Sequence, residues 1–365
     1  MEPIHLAVPG VQSLQPYQPG KPIETLQWEY DIGKVVKLAS NENPLGPSSL
    51  AIAAMRSSLD DIARYPDGNG HDLKQRLGGH LGVEPECITL GNGSNDILEF
   101  AARAFVNPGE SVMFSAHAFA VYPLVTQAIG AHAQVIPVYE WSHDLKAMAA
   151  AVTEKTRLVF IANPNNPTGT WLDAGSLTEF METVPDNVIV VVDEAYNEYV
   201  VEAQYPHCHT WADRYSNLIV TRTFSKAYGL AGIRVGYSVS SPQIADLLNR
   251  VRQPFNVNSI ALAGASAALK DEAHIVHSRA LNRQGLLDLA GAFDGLGLQW
   301  IDSVANFIAV DMGQPAAPLY EALLRQGVIV RPVANYGMPD FLRVTVGLAE
   351  ENEIFIKALQ TVLNA

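Results

Sequence analysis

Cysteine is scarce: Cys87 and Cys208 are the only two in 365 residues, too few and too far apart to suggest a disulfide framework. Charge is scarce as well, at 17% of residues, and it is unbalanced. Lys and Arg number 24 against 38 Asp and Glu, a formal net charge of −14. That argues against a nucleic-acid footprint, which needs clustered excess cations. It leaves room for an anionic ligand held by a few local cations. Long apolar runs are missing too: none approaches the roughly 18 residues that a membrane helix requires. The N-terminal "MEPIHLAVPG" lacks a basic start followed by an apolar core. The expected setting is the cytoplasm, with neither nucleic acid nor membrane as a partner.

What the chain does have is 48% hydrophobic residues, the profile of a folded protein. Its length calls for one large domain and a smaller one. From about Asp96 to Ser240 helix-like stretches alternate with β-branched runs. The candidate strands are "CITLG", "SVMFS", "AQVIPV", "RLVFIAN", "VIVVVD", "NLIVTRT" and "RVGYSVS". Runs apolar on both faces belong in a largely parallel sheet covered by helices, an α/β architecture. After Pro254 an Ala-rich stretch, "SIALAGASAALKDEAHIVHSRALNRQGLLDLAGAF", reads as one or two long helices. Strands at "LQWI", "NFIAVDM", "VIVRPV" and "FLRVTV" follow. A closing helix carries Ile354, Phe355, Ala358, Leu359, Val362 and Leu363 on one face. The expected division is a large α/β domain over 36–270 and a smaller α+β domain from 1–35 and 271–365. The proline-rich N-terminal arm is expected to pack on the smaller domain.

Three successive strands deliver polar groups to one rim of the sheet, where α/β proteins place their ligands. "RLVFIANPNNPTG" ends in a turn with Asn165, Asn166 and Gly169. "VIVVVDEAY" ends in Asp193, with Tyr196 three positions on. "NLIVTRTFSK" ends in hydroxyls and Lys226. These groups suit pyridoxal phosphate. A lysine amine condenses with its aldehyde, and a carboxylate keeps its ring nitrogen protonated. A phenol and an amide hold its ring oxygen. The phosphate wants hydroxyls, an arginine fork and free backbone N–H groups. "LGNGSNDILEFAARAF" supplies the last of these. It reads as a strand, a glycine turn, and a helix that Ser94 or Asn95 can cap, with Ile97, Leu98, Ala101 and Phe105 at helical spacing. A dinucleotide fingerprint is rejected here, because its third glycine would fall at Asp96.

"NNPTG", "VVVDEAY" and "TFSKAYGLAGIRVGY" resemble, in order and spacing, the signatures of class I/II aminotransferases of the aspartate aminotransferase fold (fold type I). The resemblance runs over nearly the whole chain. It implies that Lys226 is the lysine joined to the cofactor, Asp193 the partner of the ring nitrogen, and Tyr196 and Asn166 the ligands of the ring oxygen. It makes Thr223, Ser225 and Arg234, with backbone groups at Ser94 and Asn95, the phosphate cradle. Phe119, in "HAFAVY", falls where the family stacks an aromatic ring on the cofactor, and many relatives carry tyrosine there. Tyr65, in "ARYPDG", matches a tyrosine that reaches the neighbouring subunit's cofactor, which implies a homodimer with shared active sites.

"LQPYQPGKPIE", "LASNENPLGPS", "VIVRPV" and "FLRVTVGLAEEN" further resemble the histidinol-phosphate aminotransferase subfamily. There the equivalents of Tyr17, Arg331 and Arg343 form the substrate pocket. The implied reaction converts L-histidinol phosphate and 2-oxoglutarate to imidazole-acetol phosphate and L-glutamate. Planar guanidinium forks suit both the phosphate and the glutamate carboxylates. Three rivals stay open: an aromatic or broad-specificity amino-acid aminotransferase, a phospho-amino-acid decarboxylase of the same fold, and a pyridoxal-phosphate-binding sensor. "PHCHTW" places His207, Cys208 and His209 side by side, but adjacent residues do not converge on one ion, and no second ligand pair lies at suitable spacing; no metal site is expected.

Overall fold

The computed structural model describes residues 2–17 and 20–364. Gln18 and Pro19, inside the N-terminal stretch quoted above, lie outside the described residues, as do Met1 and Ala365. A seven-stranded sheet forms the larger layer. Across it the strands run Ile88–Gly91, Gly236–Ser240, Leu218–Thr223, Ile189–Asp193, Thr156–Ala162, Ser111–Ser115 and His132–Ile136. All neighbouring pairs are parallel except those made by Gly236–Ser240, which is antiparallel to both its neighbours. The largely parallel sheet is therefore as expected, with one reversed strand.

Alternation along these strands builds both faces. Leu158, Phe160, Val191 and Ile219 pack under helices Ser94–Phe105 and Pro242–Val251. Val159, Ile161, Val190 and Val192 pack under helix Ala174–Thr183. Because side chains alternate, Asp193, Thr221 and Thr223 share the face of Val191 and Ile219. Glu194 and Arg222 share the opposite face, where they form a buried ion pair of 2.7 Å.

A second, four-stranded antiparallel sheet runs Gln299–Ile301, Phe307–Asp311, Met338–Thr345 and Arg331–Val333. Helices Glu272–Gly295 and Ala349–Leu363 cover it. Phe293 packs edge-on against Phe355, with ring centroids 6.2 Å apart. The Ala-rich stretch is two helices, Ser259–Ala268 and Glu272–Gly295. "VIVRPV" is two short strands: Val328–Ile329 turns away to pair with Val36–Lys37. That pairing ties residues 36–37, which the expected boundary gives to the larger unit, to the C-terminal part of the chain. The N-terminal arm is divided. Leu26 packs on Ala39, Leu324 and Ile329 beside the smaller sheet, whereas Pro9–Gln12 lies on helix Val121–Ala128 of the larger one. Gly10 permits that approach, since a Cβ there would meet the Gln127 carbonyl oxygen at 2.0 Å. Among the described residues no helix is long and apolar enough to cross a membrane.

Candidate active site

A cleft opens at the carboxyl rim of the large sheet and is closed on its far side by the smaller one. Lys226, Asp193, Tyr196, Asn166, Phe119, Ser94, Asn95, Thr223, Ser225 and Arg234 line it, and so do Tyr17, Arg331 and Arg343. Tyr65 does not. It is 83% exposed and stacks on Phe255, with ring centroids 4.8 Å apart. Among the described residues no contact brings it to the cleft.

The anion cradle forms where the strand Ile88–Gly91 turns into helix Ser94–Phe105. Its N-cap is Gly93 at φ 85°, without a side-chain cap. The expectation that Ser94 or Asn95 caps this helix is thus corrected: they are its first two residues, and their N–H groups lack helical partners. Glycine is favoured at the cap because side-chain-bearing residues rarely adopt φ 85°, and a Cβ there would also displace Arg234 Nη2, 2.4 Å away. Gly236 likewise leaves room for the Ser94 backbone nitrogen. Arg234 itself sits at φ 58°, a conformation that non-glycine residues adopt only when the surroundings hold it. Arg234 Nη1 donates to Ser225 Oγ at 3.3 Å and to the Ala231 carbonyl at 3.1 Å. Arginine fork, hydroxyls and helix N-terminus thus face one point, an arrangement that suits a phosphate.

Deeper in the cleft, Asp193 accepts from Tyr122 Oη and Thr221 Oγ1, both at 3.0 Å. Burial pushes its carboxyl up to about 6 and outweighs the hydrogen bonds that it accepts. Lys226 Nζ donates to the Ser40 carbonyl at 3.1 Å. Burial, with help from Arg343 and Arg234 and against Glu42 and Asp193, lowers its amine to about 7. Tyr196 is buried and pushed up to about 12 by that burial. Its Oη accepts from Asn41 Nδ2 at 2.9 Å. Arg343 donates from Nη1 to Asn166 Oδ1 at 2.5 Å and from Nη2 to the Ala39 carbonyl at 2.8 Å. Since arginine can only donate, it fixes the Asn166 amide with Nδ2 turned the other way. Arg343 Nε is buried with no partner among the described residues, and burial lowers the guanidinium's pKa. Arg331 lies over the Tyr17 ring, 5.7 Å from its centroid.

Four contributors were not singled out from the sequence. Tyr122 follows Phe119 by three residues, and its buried ring stacks on Phe160 with centroids 4.6 Å apart. Thr221 is two residues before Thr223 on the same strand face. Tyr336 and Asn41 reach the cleft from the C-terminal segment and the "LASNENPLGPS" stretch. His117 is outside the lining, with Nδ1 2.5 Å from the Tyr336 carbonyl. His209 Nδ1 is 2.9 Å from Nη2 of Arg222, the cation of the buried ion pair.

The donor set fits pyridoxal phosphate on this geometry: a buried carboxylate, a buried amine lowered to about 7, and a cradle in which Gly93 and Gly236 leave room for Arg234 and the Ser94 nitrogen. The family model described as aminotransferase class I and II matches residues 33–359. A protein named histidinol-phosphate aminotransferase 2, from Pseudomonas fluorescens strain Pf0-1, is 59% identical over 98% of this chain and 97% of its own. One named histidinol-phosphate aminotransferase 1, from Nitrosococcus oceani, is 57% identical over 98% and 97%. The crystal structure of histidinol-phosphate aminotransferase from Sinorhizobium meliloti in complex with pyridoxal-5'-phosphate superimposes with a TM-score of 0.90. It is 30% identical and covers 98% of this chain and 97% of that one.

Proposed function

The chain belongs to the aminotransferase class I and II family, and from that premise we infer that it transfers the amino group of L-histidinol phosphate to 2-oxoglutarate, using pyridoxal phosphate. The products are imidazole-acetol phosphate and L-glutamate. The observation that carries the substrate choice is that two arginines, Arg331 over the Tyr17 ring and the buried Arg343, line the same cleft. Histidinol phosphate has no carboxylate beside its amine, so its phosphate is the anionic handle those forks can grip.

Bound pyridoxal phosphate supplies an electron sink for the electrons left on the substrate when its amine-bearing carbon loses a proton. The rest is this chain's own work, and we assign it as follows. Asn95 and Ser94 N–H groups, Thr223, Ser225 and Arg234 hold the cofactor's phosphate. Asp193 holds the proton on its ring nitrogen. Asn166 Nδ2 and Tyr196 Oη donate to its ring oxygen, and Phe119 covers its ring. Lys226 Nζ, lowered by burial to about 7, accepts the proton from the amine-bearing carbon. Arg331 and Arg343 orient each substrate in turn.

Purified protein loaded with cofactor should bleach its visible band on addition of histidinol phosphate, and kcat/KM for that amine should exceed that for phenylalanine by at least about 10²-fold. The reverse ranking would favour an aromatic amino-acid aminotransferase. Release of carbon dioxide without an oxo product would favour a decarboxylase.

We further propose a homodimer in which each Tyr65 serves its neighbour's cofactor. Tyr65 is exposed beside Leu59 and Ile62, themselves 49% and 63% exposed, a surface that favours burial. Sedimentation should give twice the chain mass. Tyr65→Ala should weaken cofactor binding about 10-fold, the worth of one charge-assisted hydrogen bond. A monomer with unimpaired cofactor binding would defeat this. A cytoplasmic location is part of the same proposal.

A further inference from the structure

We propose that Asn41 and Thr345 form a polarity latch that obliges the Tyr196 hydroxyl to donate its hydrogen into the cleft. The inference deepens the reading above and rests on pyridoxal phosphate being the ligand. Asn41 is buried at φ 55°, in the stretch that crosses between the two sheets. Its backbone N–H donates to Thr345 Oγ1 at 3.0 Å, and Thr345 Oγ1 donates to Asn41 Oδ1 at 3.0 Å. Asn306 Nδ2 holds the Asn41 carbonyl at 3.0 Å. Asn41 Nδ2 is then left to donate to Tyr196 Oη at 2.9 Å.

The direction of each bond follows from the inventory of hydrogens. Flipping the Asn41 amide would put Nδ2 against Thr345 Oγ1, and the buried Thr345 hydroxyl would lose the one acceptor it has among the described residues. A buried donor without an acceptor is costly. The amide therefore stays as placed, and Tyr196 Oη receives a hydrogen from Asn41. A phenol has one hydrogen of its own. With Asn41 acting as donor, that hydrogen has no acceptor on the Asn41 side and turns to the cleft, toward the cofactor's ring oxygen. Thr345 closes the strand Met338–Thr345, two residues beyond Arg343. The smaller sheet thus sets both donors: Arg343 orients the Asn166 amide and Thr345, through Asn41, orients the phenol. Asn41 and Thr345 are positioning residues, because they act through Tyr196.

A donated hydrogen bond stabilises the ionised ring oxygen, so the latch keeps the pH midpoint of the bound cofactor's absorbance low. Asn41→Ala should raise that midpoint by about one pH unit and weaken cofactor binding, measured by fluorescence of the cofactor-free protein, about 3- to 10-fold. The charged and titratable groups around the phenol, Arg343, Asp193, Tyr336 and Lys226, are untouched by the change. In a Tyr196→Phe background, Asn41→Ala should leave the midpoint where it was. Thr345→Val, neutral and of similar shape, should repeat the upward shift, and Thr345→Ser should restore it; this pair carries the test if Asn41→Ala does not fold. An equal shift with and without the Tyr196 hydroxyl, or no shift in either series, overturns the latch while leaving the cofactor assignment intact. A parent protein that takes up no pyridoxal phosphate removes both.

Discussion

Lys226→Ala is expected to lose transamination by at least about 10⁴-fold, since proton transfer by a placed base contributes up to that much and covalent attachment is lost as well. The variant should still take up pyridoxal phosphate, because the cradle around Arg234 is unchanged. Addition of histidinol phosphate should then leave an absorbance that barely decays. Turnover at the parent rate would remove Lys226 from the chemistry. The same residue predicts a stability signature in the cofactor-free protein. Its folded pKa of about 7 lies below its ordinary 10.5, chiefly through burial. Between these values the unfolded chain binds more protons, so this group's contribution to stability rises with pH from about 7 to 10.5. Below 7 the buried ammonium costs its full amount. Lys226→Met should therefore be more stable than the parent at pH 6, and the gap should narrow as pH approaches 10.

The site's main residues were legible because each follows a strand whose apolar run is unmistakable. Asn166, Asp193 and Lys226 sit just beyond Ala162, Val192 and Thr223, so the parallel sheet alone brings them to one rim. What escaped are contacts that join distant parts of the chain. Asn41 meets Tyr196 and Thr345 across 155 and 304 residues of sequence, and no local periodicity marks either meeting. Tyr122 sits just inside the helix that Phe119 precedes, and the two rings meet edge-on with centroids 5.8 Å apart, a contact that the spacing alone does not reveal. The helix cap was misassigned to Ser94 or Asn95 because polar residues at a helix start normally cap it. Here the cap takes φ 85°, a conformation that glycine adopts readily, and Gly93 supplies it. The division of the N-terminal arm between the two sheets, and the strand pairing of Val36–Lys37, depend on tertiary packing that short segments do not encode. Tyr65 lies outside the cleft, and only the resemblance of "ARYPDG" singles it out.

Asp193→Asn should separate what the site needs for catalysis from what the fold needs for stability. The amide has the same shape: its oxygen can accept from one of the Tyr122 and Thr221 hydroxyls, and its NH2 can donate to the other. It cannot hold a proton on the ring nitrogen, so kcat should fall about 10³-fold, the size of losing one preorganised electrostatic partner. Stability should move the other way in the cofactor-free protein. The Asp193 carboxyl is raised by burial from 3.8 to about 6. Its favourable contribution is therefore complete below pH 3.8 and is lost as pH rises through about 6. At pH 8 the buried carboxylate costs about 3 kcal/mol, which the neutral amide avoids. Cofactor-free Asp193→Asn should thus melt above the parent at pH 8 and level with it near pH 4. Saturating pyridoxal phosphate should reverse the order at pH 8, since the parent then gains a cation for its carboxylate and binds more tightly. The outcome that would sink this is an Asn variant less stable than the parent at pH 8 in both states, for the carboxylate would then be a structural anchor of the sheet edge and not a charge held in reserve for the ring nitrogen.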